Sequence, residues 1–105
     1  MSNLLTTTDD EMMEPVHPGE VLKYDFLDEF GITQHHLAVA IGVPPRRINE
    51  IVLGKRAISP NTTLRLGRYF GNGAQFWLAL QADYDLCCEM ARCAESVSQI
   101  KPLVA

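Results

Sequence analysis

From Pro18 onward, glycine and proline divide this chain into segments that read as short helices. Pro18, Gly31, Gly42, Pro44, Pro45, Gly54, Pro60, Gly71 and Gly73 fall between apolar segments of about one to three helical turns. Pro18 suits a first helical turn, where its missing N–H is no loss, and Glu20 favours the positive end of the helix dipole. Val21, Leu22, Phe26, Leu27 and Phe30 recur at helical spacing until Gly31 stops the helix. Thr33 is a good N-cap for TQHHLAVAI, whose inward stripe is Leu37, Ala38 and Ile41. His36 stands where a capping box would place Glu or Gln, which weakens that cap.

Gly42 ends this second helix, and only Val43 and Pro44 precede the third. Pro44 disfavours continuing the previous helix, while Pro45 fits the first position of the next. The third helix is expected to run to about Leu53, with Gly54 closing it. A fourth is expected near Pro60 or Asn61 and a fifth after Gly73, so that five helices lie between about Pro18 and Ala91. No alternating strand pattern of useful length is visible. The expected class is all-α, with an N-terminal acidic flexible arm over 1–16, a folded domain over 17–92 and a C-terminal tail over 93–105.

Two short helices joined by a tight, glycine-containing turn form the helix-turn-helix pattern, whose second helix enters the DNA major groove. Ile48, Ile51 and Val52 fall on one side of the third helix. Arg46, Asn49, Glu50 and Leu53 share the opposite face at i, i+3, i+4 and i+7, with Arg47 on the flank. Arginine can donate twice to guanine, asparagine can pair with adenine, and glutamate can accept from cytosine N4. Arg47, Lys55 and Arg56 suit phosphates, as does Gln34 at the start of the second helix. The alternative is a solvated helix whose Arg46 or Arg47 pairs with Glu50.

Charge is distributed accordingly. The chain carries a net −4, yet residues 33–68 hold Arg46, Arg47, Lys55, Arg56, Arg65 and Arg68 against Glu50 alone. Residues 1–32 hold Lys23 against eight acidic residues. A basic middle between acidic flanks fits a polyanion partner, or simply a charged surface.

The segments HPGEVL, RINEIVLGKR and RYFGNGAQFWLALQ carry a resemblance that extends from His17 to about Leu86. The chain resembles the HigA/VapI antitoxin branch of the Xre-like, lambda-repressor-like helix-turn-helix proteins. The resemblance implies a five-helix domain that forms a homodimer, binds a palindromic double-stranded operator as a repressor, and often neutralises a HigB-like ribonuclease toxin. It also implies an operator-reading helix from Pro45 to Leu53, with Arg46, Arg47 and Asn49 as contacts and Gln34, Lys55 and Arg56 near the DNA backbone. Two positions depart from the family pattern: Leu53 stands where a polar residue is common, and Gly67 where alanine is usual. Gly67 either weakens its helix or permits close packing.

Other function classes find little support. His35 and His36 are adjacent and point to different sides of a helix, and Cys87, Cys88 and Cys93 lack the paired spacing of zinc sites. No catalytic set, phosphate loop or cofactor motif stands out, so an enzyme is not expected. The cysteines are few and odd in number, which favours a reducing compartment over a disulfide framework. No apolar run approaches the roughly 20 residues needed to span a bilayer, and the N-terminus lacks a signal-peptide pattern, so a cytoplasmic location is expected. FWLALQADYDLCC is a candidate dimer interface, with core packing as its alternative. Two narrower functions stay open: a stand-alone regulator without a toxin, and a protein-neutralising module with little DNA binding.

Overall fold

A computed structural model describes residues 15–104, so the arm expected over 1–16 lies almost wholly outside the described residues. Five helices and no strand stand among the described residues. The first, α1 (18–30), opens as Pro18–Glu20, loosens into π-winding over Val21–Leu27 and tightens again over Asp28–Phe30. In the wide segment the Asp28 N–H bonds to the Lys23 carbonyl, five residues back. This winding shifts the expected stripe. Leu22 and Leu27, five residues apart, are both buried, Phe26 is half-buried and Phe30 is exposed.

The remaining helices are α2 (Gln34–Ile41), α3 (Pro45–Val52), α4 (Pro60–Phe70) and α5 (Ala74–Ser98). Thr33 Oγ1 caps α2 by accepting the His36 N–H at 3.0 Å, and Ser59 Oγ caps α4 through Thr62 N–H at 3.3 Å. The first three helices end alike. Gly31, Gly42 and Gly54 take positive φ. The residue after each glycine donates to a carbonyl five back: Ile32 to Leu27, Val43 to Ala38 and Lys55 to Glu50, at 2.8–3.0 Å. Such paired bonds satisfy the last carbonyls of a helix and turn the chain sharply.

α5 runs seven residues past its expected end at Ala91. Neither glycine nor proline interrupts it before Pro102. Its first half packs on the domain through Trp77 and Gln81, both buried. Beyond that the apolar side chains Leu86, Met90 and Val97 are 58–61% exposed.

The core joins Leu22 and Leu27 of α1, Leu37 and Ile41 of α2, Ile48 and Ile51 of α3, Leu66 of α4 and Trp77 of α5. Phe26, Phe70 and Trp77 form an aromatic cluster with Phe26 centroids 4.8 Å from both partners. Buried Gln81 reaches from α5 to the loop after α3, accepting the Ile58 N–H at 2.8 Å and donating to Asp85 at 2.9 Å. Gly67 permits close packing: a Cβ there would lie 2.4 Å from Ala74 N and Gly73 C. No helix among the described residues is long and apolar enough to cross a membrane.

Candidate nucleic-acid interface

The turn between α2 and α3 follows from three residues. Gly42 takes φ 74°, Val43 is buried, and Pro44 is extended at φ −64° and ψ 140°. The Arg47 N–H then bonds to the Pro44 carbonyl at 2.9 Å, which starts α3 with Pro45 at its first position. Ile48 and Ile51 are fully buried on the inner side. This burial fixes which side of α3 faces outward.

Arg46 is open to solvent, with 87% of its side chain exposed. Glu50 is recessed between two arginines. Its Oε2 accepts from Arg46 Nε at 3.0 Å and its Oε1 from Arg56 Nε at 2.8 Å. The hydrogen bond from Arg56, then that from Arg46, holds the Glu50 carboxyl below the usual carboxylate range. Glu50 thus stays ionised and acceptor-only. Asn49 Nδ2 donates to Gln34 Oε1 at 3.2 Å, tying α3 to the first turn of α2.

The structure therefore brings the sequence-expected residues together on one surface in two hydrogen-bonded sets, Arg46–Glu50–Arg56 and Gln34–Asn49. Lys55 is exposed beside them and Arg47 is half-buried on the flank. Neither forms an ion pair among the described residues. The solvated-helix alternative is met in part: Arg46, rather than Arg47, pairs with Glu50. Leu53, 57% exposed, completes the face with an apolar side chain.

The Arg56–Glu50 pair has no sequence signal, because it crosses a turn six residues long. Arg65 also departs from the simple picture of a basic middle. Its Nη1 donates to the Ile41 carbonyl at 2.7 Å and its Nε to Asn61 at 2.9 Å, so it caps the end of α2. Arg68 lies with Leu64 and Tyr69 along an open hollow of about 400 Å³ between α2 and α4. Among the described residues no group of three His, Cys, Asp or Glu is placed to hold a metal ion. His35 and His36 are exposed, and the thiols of Cys87, Cys88 and Cys93 are free.

A helix-turn-helix family profile matches residues 24–77, which include α2, the turn and α3. Virulence-associated protein I of Dichelobacter nodosus is 51% identical over 74 residues, covering 70% of this chain and 68% of that protein. The solved structure of Pseudomonas aeruginosa antitoxin HigA with the higBA promoter is 42% identical and superposes with a TM-score of 0.82, over 87% of this chain and all of that one. Another solved structure, of a Pseudomonas aeruginosa protein in complex with its 18 bp operator DNA, is 44% identical with a TM-score of 0.85, over 89% of this chain and 99% of that one. The chain belongs to the helix-turn-helix family, in its HigA/VapI antitoxin branch.

Proposed function

We propose that this chain is a cytoplasmic operator-binding repressor that also serves as the antitoxin of a HigB-like toxin. The carrying observation is the outer face of α3. Rigid packing below it presents Arg46, Asn49 and Glu50 together, with Lys55 and Arg56 at its exit. In this reading Arg46 donates to guanine, Asn49 pairs with adenine and Glu50 accepts from cytosine. Arg47, Lys55, Arg56 and Gln34 hold the backbone, and Pro45 sets where the helix begins. Relatives solved with promoter and operator DNA at 42–44% identity support this assignment.

A homodimer placing two α3 helices on a palindrome follows from the small size of one reading surface. The exposed apolar side chains of the outer half of α5 are the surface for the second copy.

Binding isotherms on matched and scrambled operators, at several salt concentrations, test the assignment. Arg46→Ala is expected to lose about 1–3 kcal/mol on the matched operator and to relax preference at one base pair. Lys55→Ala is expected to weaken binding to every sequence and to lower the salt slope by about one unit. If Arg46→Ala keeps both affinity and preference, α3 is not the reader.

The toxin contact is carried in this reading by the N-terminal segment, whose Asp9, Asp10, Glu11 and Glu14 complement a basic ribonuclease. Deleting residues 1–14 is expected to slow association with the co-purified toxin, most visibly at low salt. Unchanged association kinetics would remove this segment from the contact.

A further inference from the structure

The sequence HPG opens α1, yet it packs against the far end of α3. Gly19 is buried, and a Cβ there would lie 1.9 Å from the Ile51 carbonyl oxygen and 2.8 Å from its carbon. The backbone of α1 therefore touches the backbone of the reading helix. That same Ile51 carbonyl accepts the Gly54 N–H at 3.0 Å, closing the left-handed turn that leads into Lys55 and Arg56.

His17 completes the contact. It is only 8% exposed. Its Nδ1 accepts the Gly19 N–H at 2.9 Å, which makes it the N-cap of α1 and fixes the ring orientation. The ring covers Gly54, with Cγ and Cδ2 3.8 and 3.9 Å from where a Gly54 Cβ would stand. It packs edge-to-face with the Tyr84 ring of α5, the centroids 4.8 Å apart. Burial lowers the His17 pKa, outweighing the nearby carboxylates Glu20 and Asp85, so Nδ1 remains an acceptor.

We propose that His17 is a positioning residue for DNA binding, whose ring, held between Gly19 and Tyr84, braces the Gly54 turn so that Lys55 and Arg56 meet phosphate already ordered. This rests on the reading of α3 and its exit as the DNA surface. A glycine in an exposed turn has wide backbone freedom. Two long cations beyond it would have to be ordered on binding, which weakens the contacts they make. A ring laid over Gly54 removes that freedom beforehand.

The two roles of His17 separate in His17→Asn. Asparagine is a good N-cap, so α1 keeps its acceptor, but no ring covers Gly54. The variant is expected to stay folded, with a moderate loss of thermal stability from the missing ring. The amide order parameters of Gly54, Lys55 and Arg56, measured by NMR without DNA, are expected to fall from about 0.85 toward 0.6. Its salt slope is expected to drop by about one to two units, equally on matched and scrambled DNA. Between 50 and 200 mM salt it should then lose about 4- to 16-fold less affinity than the wild type does. His17→Ala, which lacks both cap and ring, should add a further loss of thermal stability to the same slope.

Unchanged amide order and unchanged slope in His17→Asn would overturn the brace, because a merely structural role moves neither in a folded protein. A double variant, Lys55→Ala with Arg56→Ala, distinguishes this from failure of the DNA reading. If that variant binds DNA with the wild-type slope, the turn is no phosphate contact, and the brace falls together with that assignment.

Discussion

Replacing Trp77 by alanine is expected to lower the unfolding free energy by about 3–5 kcal/mol. Trp77 is fully buried and is the meeting point of three helices. Its ring centroid lies 4.8 Å from Phe26 of α1, 6.0 Å from Phe70 of α4 and 5.1 Å from Phe76 of α5. Its Nε1 donates to Asn72 Oδ1 at 3.1 Å, which fastens the turn before α5. Alanine would leave a cavity that aromatic neighbours cannot collapse to fill. Domains of this size have total stabilities of about 5–15 kcal/mol, so the loss is a large share of the whole. Trp77→Phe keeps most of the volume and should lose much less. Urea unfolding followed by circular dichroism reads both variants without relying on tryptophan fluorescence. A loss below about 1 kcal/mol for the alanine variant would mean that these helices do not meet at Trp77.

Gly67→Ala is expected to destabilise by about 2–3 kcal/mol, and here the sign decides between two effects. Helix propensity alone predicts a gain of about 1 kcal/mol, since Gly67 lies inside α4. The packing predicts the reverse. The new Cβ would meet the Gly73 carbon and the Ala74 nitrogen at 2.4 Å. Those atoms are backbone, and the Gly71 and Gly73 N–H groups bond to the Gly67 carbonyl at 2.9 and 3.2 Å. The turn cannot retreat without giving up those bonds. A higher melting temperature for Gly67→Ala would show that the α4–α5 turn shifts freely, contrary to this account.

The parts of this fold that local chemistry dictates were legible in the sequence. Thr33, Pro45 and the glycines at 31, 42 and 54 act at the positions where capping and left-handed backbone require such residues. The inward stripe of α3 was legible too, because Ile48 and Ile51 repeat at helical spacing and the core lies on one side. Contacts between distant segments were not. Nothing in HPGEVL announces that Gly19 faces the Ile51 carbonyl. The π-winding of α1 was hidden for a related reason: it adjusts a helix to the core it meets, which shows only when Leu22 and Leu27 are seen buried together. α5 outruns its expected end at Ala91 because its outer half faces away from the core, so no periodic burial in the sequence marks where it stops. Of the candidate surface, the residue types were foreseeable and their bonding was only partly so. Arg46 and Glu50 stand at i, i+4, but Arg56 reaches Glu50 only because Gly54 turns the chain back.

The carboxylate shared by Arg46 and Arg56 bears on how such a surface can change its sequence preference. The two guanidinium groups answer to one oxygen pair, so a substitution at Glu50 resets both at once. In the proposed reading, preference at the base pair facing Arg46 and grip on the phosphate near Arg56 are therefore coupled, and their free energies should not add. A mutational walk from one operator to another that passes through position 50 must move in a jump rather than by independent steps. In the same reading Asn49, bonded instead to Gln34 of α2, lies outside that set, and its base preference is coupled to the hold of Gln34 on the DNA backbone.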